Sequence, residues 1–150
     1  MLEIVLIRDA TLADRESMGH CLALSSLSPE GVLSAGSSYW VAEDKQICGV
    51  IGIEWGRTAA LLRSAAVLPS RQGSGIGSRL VQHACNACAA TGRQQIYLFS
   101  TGAGTYWQRQ GFVTVPVFEL VTVLGETFQV RQYARSGWLV TELAWRKTLA

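Results

Sequence analysis

The feature that most constrains the fold is a glycine-rich turn that follows a proline at the end of an apolar stretch. Pro69 ends a predicted strand, and three alternating glycines follow where a helix is predicted to begin: Gly73, Gly75 and Gly77. Glycine permits positive φ and lets another group approach the backbone closely. The start of a helix offers unpaired N–H donors and the positive end of the helix dipole. Together these features form a cradle for a phosphate or pyrophosphate, although such a turn also occurs without any ligand.

Two common phosphate-binding motifs do not match this turn. A Walker loop has a Gly-Lys-Ser/Thr sequence at the start of the helix, whereas Gly77 is followed here by Ser78 and Arg79, without the lysine. The dinucleotide fingerprint requires a glycine at the position that Ser78 occupies, and it belongs in the first βαβ unit of a domain. A phosphate-containing ligand of this turn therefore belongs to another class.

Length and composition limit the broad class of protein. The 150 residues suffice for one domain with its own core, and we predict a single domain over residues 1–150. Hydrophobic residues make up 49% and charged residues 16%, which excludes a disordered chain, and the net charge of +2 excludes a strongly basic nucleic-acid surface. No apolar run approaches the roughly 18 residues of a membrane span, and the amino terminus does not resemble a signal peptide. We therefore expect a cytoplasmic protein with no nucleic-acid and no membrane partner.

The predicted elements follow the order β-α-β-β-β-α-β-α-β, which indicates an α/β (α+β) fold with one mixed central sheet flanked by helices. Strands at residues 39–43, 47–55 and 59–68 are joined by short turns and form a predicted antiparallel meander. The other predicted strands cover residues 2–8, 96–99 and 138–145. Predicted helices run from residue 11 to about residue 25, from residue 75 to about residue 91, and over a short stretch before Gly111. The pattern over residues 113–133 is ambiguous.

Four cysteines do not form a disulfide framework in a domain of this size. Cys85 and Cys88 have the CxxC spacing, and His83 lies two residues upstream. A zinc site needs a further ligand cluster, which the sequence lacks. A thioredoxin-type site has its CxxC at the start of a helix, whereas this pair lies deep inside a predicted helix. We therefore predict ordinary buried cysteines and no metal site.

The segment around the glycine turn resembles the acetyl-CoA signature of the GCN5-related N-acetyltransferase (GNAT) family. Its upstream V-x-P pattern and its Q/R-x-x-G-x-G/A pattern match Val67, Pro69, Gln72, Gly75 and Gly77. Residues 106–112, with the sequence YWQRQGF, are similar to the family's F-Y-x-x-x-G-F pattern. The order of predicted elements also fits the family across nearly the whole chain. The resemblance implies a GNAT-type fold, acetyl-CoA as co-substrate, no metal, and direct acetyl transfer to an amine without a covalent enzyme intermediate.

A narrower resemblance concerns the acceptor of the acetyl group. Residues 96–112 have a short link between the strand and the Gly-Phe pair. This link is similar to the L-T-T-x-x-A-x-x-F-x-x-x-G-F pattern of N-acetylglutamate synthase domains and of arsenic-resistance-type N-acetyltransferases. Residues 60–64 also resemble the latter group. The resemblance points to a small-molecule primary amine of amino-acid type, and residues 115–150 carry no motif that we can assign to a substrate.

The resemblance assigns the cofactor-binding residues to the end of the fourth strand and to the glycine turn. Backbone N–H groups of the turn are expected to bind the pyrophosphate. They belong to Gln72, Gly73, Ser74, Gly75, Ile76, Gly77 and Ser78. The backbone of Ala65, Ala66 and Val67 is expected to pair with the pantetheine arm, and the N–H of Val67 is the expected oxyanion donor. The alternative for these small residues is a tightly packed strand without a ligand.

The acid and the base of the reaction are less well determined. Many family members have a tyrosine at the position of Trp107, whose indole has no useful acidic proton. The adjacent Tyr106 is a candidate proton donor, although it points elsewhere on a helix and is otherwise a packed or surface aromatic residue. Glu54 is the candidate base because the family often has a glutamate in this pair of strands. The alternative for Glu54 is a solvated charge near a turn.

Arg63 is the candidate substrate-binding residue. On a regular strand it shares a face with Ala65 and Val67, unless a bulge intervenes. An arginine on that face could hold an acceptor carboxylate through two hydrogen bonds. The alternative is a surface salt bridge.

Two other functions remain open beside a small-molecule N-acetyltransferase. A catalytically silent acyl-CoA-binding module is suggested by the missing tyrosine at Trp107. A peptide or protein N-acetyltransferase would favour an acidic groove for basic peptides, and the sequence has no acidic cluster. Whether the protein forms a homodimer is also open.

Overall fold

The structure, a computed structural model, describes residues 4–149, which contain seven strands and five α-helices. The strands are β1 (Leu6–Asp9), β2 (Ser37–Glu43), β3 (Ile47–Trp55), β4 (Ala59–Val67), β5 (Gln95–Phe99), β6 (Val113–Val115) and β7 (Ala144–Thr148). The helices are α1 (Arg15–Leu24), α2 (Ile76–Ala90), α3 (Gly104–Arg109), α4 (Val117–Leu124) and α5 (Phe128–Ser136). Short 3-10 turns cover Leu12–Asp14, Pro69–Arg71 and Trp138–Thr141.

The strands form one mixed sheet in the order β1-β2-β3-β4-β5-β7-β6. β4 and β5 are parallel, and the ladder between them joins residues 59–61 to residues 95–97. The pairs β1–β2, β5–β7 and β6–β7 are antiparallel. The links from β2 to β3 and from β3 to β4 are too short for the crossover that a parallel pair requires, so these neighbours form the expected meander. The predicted mixed sheet flanked by helices is confirmed.

One prediction about the carboxyl-terminal third of the chain is wrong, and the structure defines the elements of a stretch that the sequence left ambiguous. The last strand was expected at residues 138–145, but residues 138–141 form a 3-10 turn and β7 covers Ala144–Thr148. The ambiguous residues 113–133 contain β6, α4 and the first part of α5. α4 is rich in β-branched residues, yet it forms a helix because Leu120 and Leu124 are buried on one of its faces.

The first strand begins later than predicted, at Leu6, and the predicted residues 2 and 3 lie outside the described part of the chain.

Contacts divide the chain into two compact units. The first unit comprises residues up to Ile53 together with Ser64–Ala84. In this unit α2 packs closely on β3 at Gly49, where a Cβ would lie 2.8 Å from the Leu80 Cδ1 atom and 3.2 Å from the Ile76 Cγ2 atom. Glycine at this position therefore lets the first turns of α2 lie against the strand.

The second unit comprises Glu54–Arg63 together with the residues from Cys85 onwards. α4 and α5 pack on the sheet through one apolar cluster, formed by Ala59, Leu61, Tyr97, Leu120, Leu124, Val130 and Ala144. The Glu119 carboxylate accepts hydrogen bonds of 2.7 Å from the Tyr97 hydroxyl and from the Arg146 guanidinium. Burial, and then the hydrogen bond to Glu119, raise the pKa of Tyr97 to about 12, so its hydroxyl stays protonated.

All four cysteines are free and buried, which confirms the prediction of ordinary buried cysteines. Burial raises the pKa of Cys21 and of Cys88 to about 11, which keeps both in the unreactive thiol form. Within residues 4–149, His, Cys, Asp and Glu side chains nowhere gather in threes as metal ligands do. Among the helices that the structure describes, none has the length and apolar character needed to cross a membrane.

Candidate active site

The glycine turn joins the 3-10 turn Pro69–Arg71 to α2 and adopts a conformation that requires glycine at two positions. Gly73 has a φ of 83° and Gly75 a φ of 86°, both in the left-handed region. A Cβ built on either residue meets no atom within 4 Å, so open space lies beside both Cα atoms. The Ser74 hydroxyl donates to the Arg71 carbonyl at 2.6 Å and braces the turn. The turn therefore leaves the space beside the Cα atoms of Gly73 and Gly75 free of side chains.

The amino-terminal end of α2 supplies donors to this space. The helix begins at Ile76, and the N–H of Arg79 donates to the Gly75 carbonyl at 3.1 Å. The first N–H groups of an α-helix point out of its amino-terminal end, here toward the glycine turn. The N–H of Gln72, which was also expected among the ligand-binding groups, instead lies 3.5 Å from the Pro69 carbonyl. The donors and the helix dipole suit an anionic group.

An ion pair holds the turn to the link between β2 and β3. The Arg71 guanidinium lies 2.5 Å from the Asp44 carboxylate. This hydrogen bond from Arg71, followed by those from the N–H groups of Gln46 and Lys45, lowers the pKa of Asp44 to about 2. The carboxylate therefore stays charged, and the pair stays intact, well below neutral pH.

The end of β4 departs from regular strand geometry at Ser64. Ser64 has a φ of 58°, which is rare for a residue with a Cβ and breaks the alternation of faces along the strand. Its hydroxyl lies 3.3 Å from the Tyr39 hydroxyl. The Tyr39 ring in turn packs against Gly52. A Cβ built on Gly52 would lie only 2.3 Å from the Cε2 atom of Tyr39. Gly52 thus makes the room that lets Tyr39 reach Ser64.

Beyond Ser64, β4 has the small residues predicted for a pantetheine-binding strand. Ala66 is buried, and Ala65 and Val67 are half-buried. The Val67 carbonyl accepts a hydrogen bond of 3.2 Å from the Gln72 side-chain amide, and the N–H of Leu68 donates to the Cys48 carbonyl at 2.8 Å. Within the first unit, these bonds fix the position of the end of β4 relative to the glycine turn.

Glu54 and Arg63, in the second unit, form a buried ion pair. The Arg63 Nη1 atom lies 2.7 Å from the Glu54 Oε2 atom, and the two residues are 5% and 4% exposed. The N–H of Gln129 donates to the Glu54 Oε1 atom at 3.2 Å, so both carboxylate oxygens are engaged. The interpretation of Glu54 as a solvated charge and that of Arg63 as a surface salt bridge are therefore wrong.

The conformation of Ser64 also bears on the predicted role of Arg63. The expectation that Arg63 shares a face with Ala65 and Val67 assumed a regular strand without a bulge. The positive φ of Ser64 removes that assumption. Arg63 also lies over the Phe128 ring, with its Cζ atom 6.0 Å from the ring centroid. An acceptor carboxylate would have to share Arg63 with Glu54, and this role of Arg63 stays a prediction.

Trp107 and Tyr106 lie on α3, directly before the Gly-Phe pair. Trp107 is buried and makes edge contacts with Phe112 and Tyr106, at centroid distances of 5.4 and 5.0 Å. The Trp107 Nε1 atom is buried and has no hydrogen-bond partner in the part of the chain that the structure describes. Tyr106 is half-buried. Proton donation by Tyr106 stays a prediction.

Sequence reasoning did not identify a second cluster in this unit. The Tyr133 ring lies between Phe99 and Trp138, with centroid distances of 4.9 and 5.2 Å. The Gln129 side-chain amide donates to the Tyr133 hydroxyl at 3.4 Å. Glu142, which follows the 3-10 turn Trp138–Thr141, is half-buried. The sequence signal that could have found the cluster is the helical spacing of Gln129 and Tyr133, which places both on one helix face.

Comparison with known proteins gives a consistent family and fold. A family model described as an acetyltransferase (GNAT) domain matches residues 35–114, which is more than half of the chain. No curated protein sequence matches the chain.

Similar solved structures include a GNAT-family acetyltransferase from Staphylococcus aureus Mu50, with 14% identity, a TM-score of 0.77, and coverage of 98% of this chain and 100% of that one. N-acetylglutamate synthase from Neisseria gonorrhoeae, solved with coenzyme A and N-acetyl-glutamate, has 20% identity and a TM-score of 0.77. That match covers all of this chain but only 36% of the synthase. Rv2747 from Mycobacterium tuberculosis, also solved with CoA, has 14% identity, a TM-score of 0.73, and coverage of 97% and 99%. At these identities the likenesses show the fold.

Proposed function

The chain belongs to the GNAT acetyltransferase family, and we propose that it transfers the acetyl group of acetyl-CoA to the primary amine of a small molecule. The observation that carries the proposal is the open turn before α2, with positive φ at Gly73 and Gly75. A side chain at either position would occupy the space that a pyrophosphate needs. The residues present therefore fit the phosphate end of acetyl-CoA, which supplies the acetyl group as a thioester.

In this proposal the first unit binds the co-substrate through its backbone. N–H groups from Gly73 to Ser78 bind the pyrophosphate at the positive end of the α2 dipole. The Ala65 and Ala66 backbone pairs with the pantetheine arm, since their small side chains permit close approach. The N–H of Val67 donates to the oxygen on which negative charge develops during transfer. Residues 1–150 act as one acetyltransferase domain.

Two observations support a small-molecule acceptor. The sequence has no acidic cluster of the kind that a groove for basic peptides would use. N-acetylglutamate synthase, which has the same fold, was solved with N-acetyl-glutamate, a small acetylated amino acid. The acceptor class of our chain is therefore proposed as a primary amine of amino-acid type. Peptide acetylation and silent acyl-CoA binding are the competing functions.

A thiol-release assay separates these functions. Purified protein is mixed with acetyl-CoA and with amino acids, polyamines, aminoglycosides or peptides in turn, and free thiol is measured. The proposal expects turnover with at least one small amine and none with peptides. Turnover confined to peptides would favour a protein acetyltransferase. Acetyl-CoA binding without thiol release for any acceptor would identify a silent module.

Replacement of Trp107 by phenylalanine should change the chemistry little. Its indole N–H has no partner within residues 4–149, and phenylalanine preserves an aromatic contact with Phe112. We expect kcat/KM to fall by less than about tenfold, whereas loss of a general acid costs about 100- to 10,000-fold. The measurement is thiol release at saturating acetyl-CoA.

Tyr106→Phe is the matched variant for this experiment. It removes only a hydroxyl, and it should show the larger loss if Tyr106 is the proton donor. A 100-fold loss in Trp107→Phe, with unchanged affinity for acetyl-CoA, would instead mean that the indole takes part in the reaction.

The compartment and the partners of the protein are also matters of proposal. We propose that it acts in the cytoplasm on a small molecule, without nucleic acid or membrane as partners. A homodimer is a further proposal, and light scattering on the purified protein measures its mass directly.

A further inference from the structure

A cavity lies within the second unit, where the turn between β3 and β4 meets the link from α2 to β5. Its volume is about 540 Å³, and all the described residues that line it belong to this unit. Cavities of roughly 300–1,000 Å³ are typical of small-molecule sites. None of its lining residues was assigned to acetyl-CoA or to the acceptor. The cavity is therefore a second place in the molecule with room for a small ligand.

The lining of the cavity is positively charged. Arg57 and Arg93 both line it, and none of the described lining residues is acidic. α2 ends beside the cavity, and the negative end of its dipole amounts to only about half a charge. Tyr97, which also lines the cavity, donates to the Glu119 carboxylate, but Arg146 pairs with that carboxylate at 2.7 Å. The net field in the cavity therefore favours an anion.

Arg93 is held in a fixed position. Its Nε and Nη2 atoms donate to the Gly56 carbonyl at 2.9 and 2.7 Å, and its Cζ atom lies 4.8 Å from the centroid of the Trp55 ring. Gly92, with a φ of 85°, turns the chain after α2 and so brings Arg93 to this place. The Nη1 atom of Arg93 has no partner within residues 4–149. A guanidinium fixed on one edge thus keeps donors for a ligand on the other.

Arg57 directly follows the glycine whose carbonyl Arg93 binds. It is exposed, and in the part of the chain that the structure describes it makes no hydrogen bond and no ion pair. All five N–H donors of its guanidinium are therefore free. The bonds from Arg93 to Gly56 tie the two arginine-bearing segments together, so both guanidinium groups can serve one ligand. Such groups bind phosphate and carboxylate through paired hydrogen bonds.

Neutral groups complete the lining. The Gln95 Oε1 atom accepts a hydrogen bond of 3.0 Å from the Thr148 hydroxyl, which orients the amide and leaves its NH₂ group as a donor. Tyr97 and Val123 supply apolar surface. Charged and neutral donors beside a small apolar wall suit a ligand with an anionic head and a compact organic body.

We propose that this cavity binds a small phosphate monoester, whose phosphate group is held by Arg57 and Arg93. Two cations without a lining carboxylate match a group with two negative charges. A phosphate monoester carries about 1.5 to 2 negative charges at pH 7, whereas a single carboxylate carries one. The volume of the cavity leaves room for the organic part beside Tyr97 and Val123. This site does not depend on the proposed acetyltransferase function.

The test measures binding of glycerol 3-phosphate by calorimetry and compares Arg57→Gln with Arg135→Gln. Arg135 is an exposed arginine of α5 that does not line the cavity, so the control removes the same charge elsewhere in this unit. We expect Arg57→Gln to weaken binding by about tenfold or more, because it removes charge-assisted hydrogen bonds. Arg135→Gln should stay within about twofold of the wild type. Equal affinity of the wild type and Arg57→Gln, or no saturable binding, would mean that Arg57 is a solvated surface arginine and would overturn the proposal.

The titrations are repeated with coenzyme A at saturation, which separates this cavity from the glycine turn. We expect glycerol 3-phosphate to bind as before. Loss of its binding would show that the probe occupies the glycine turn and would overturn the proposal. If coenzyme A itself does not bind, the proposed acetyltransferase function is contradicted, and the comparison of the two arginine variants still decides the role of the cavity.

The wild type alone provides a second test, which requires no variant to fold. The second pKa of a phosphate monoester lies near 6, so we expect affinity to fall by about fivefold or more from about pH 7.5 to about pH 5 as the dianion is protonated. The protein groups keep their charge over this range. Arginine stays protonated, the pKa of Tyr97 is about 12, and hydrogen bonds from Tyr97 and then Arg146 lower the pKa of Glu119. Equal affinity at both pH values would contradict a dianion site.

Succinate distinguishes a phosphate from a dicarboxylate. It carries two negative charges at neutral pH, but on separate carboxylates. We expect it to bind at least about fivefold more weakly than glycerol 3-phosphate, because the two arginines converge on one group. Equal or tighter binding of succinate would overturn the assignment to a phosphate monoester.

Discussion

Gly75→Asp should abolish acetyl-CoA binding while the protein remains folded. The substitution places a side chain in the open space before α2 and forces a residue with a Cβ into a φ of 86°. It also brings a negative charge next to the proposed pyrophosphate. Two like charges about 4 Å apart repel by about 4 kcal/mol at the effective dielectric constant near a protein surface. We therefore expect calorimetry to show a loss of affinity of at least ~100-fold.

Gly36→Asp is the matched control for this prediction. Gly36 also has a positive φ, 80°, and open space beside its Cα atom, and it lies in the segment before β2. The control therefore carries the same backbone strain and the same new charge without touching the turn. Unchanged affinity in a folded Gly75→Asp protein would mean that the turn does not bind the pyrophosphate. Equal losses in both variants would point to strain or net charge instead.

Arg63→Met should destabilise the protein by about 3–5 kcal/mol, because it leaves the buried carboxylate of Glu54 without its cation. Domains of ordinary size have a free energy of unfolding of about 5–15 kcal/mol, so the loss is a large fraction of the total. The measurement is urea unfolding followed by circular dichroism. The double variant Arg63→Met/Glu54→Gln should recover much of the loss, since a glutamine oxygen still accepts the Gln129 N–H.

The double variant also separates structure from substrate binding. If Arg63 serves mainly to hold Glu54, the double variant folds and retains KM for amines with and without a carboxylate. If Arg63 also holds an acceptor carboxylate, KM rises only for the acceptor that carries one. A loss of less than about 1 kcal/mol in Arg63→Met would contradict the buried pair as a stabilising contact.

The glycine turn could be predicted because its requirements are local. A proline that ends a strand, glycines at the positions of positive φ, and a helix start all lie within a dozen residues. The bounds of β3 were predicted for the same reason, since two short turns limit it. The predicted sheet and its flanking helices follow from such local patterns.

The elements that were predicted wrongly depend on contacts between residues that are distant in the sequence. Trp138, Val140 and Leu143 suggested a strand, but each is about half-exposed or more and precedes β7. Their apolar side chains therefore do not mark a strand of the sheet. The true β7 has the sequence AWRKT, and its pairing with β5 decides its structure.

Glu54 illustrates a signal that was present but not used. The turn between β3 and β4 is closed by a hydrogen bond from the Gly56 N–H to the Ala59 carbonyl. Counting outward from this bond makes Glu54 and Arg63 diagonal neighbours on one face of the sheet. The hairpin register therefore pairs these charges, whereas burial and the contact with Gln129 depend on the packing of α5. No local pattern could predict that contact.

The contact of Tyr39 with Gly52 and Ser64 limits which substitutions can accumulate in this sequence during evolution. Any side chain at Gly52 displaces the Tyr39 ring, and any residue without a hydroxyl at position 64 leaves the Tyr39 hydroxyl without this neighbour. A side chain at Gly52 therefore requires a smaller residue in place of Tyr39, so we expect these two positions to change together. Packing thus couples substitutions on β2 to those on β3, although the two residues are far apart in the sequence.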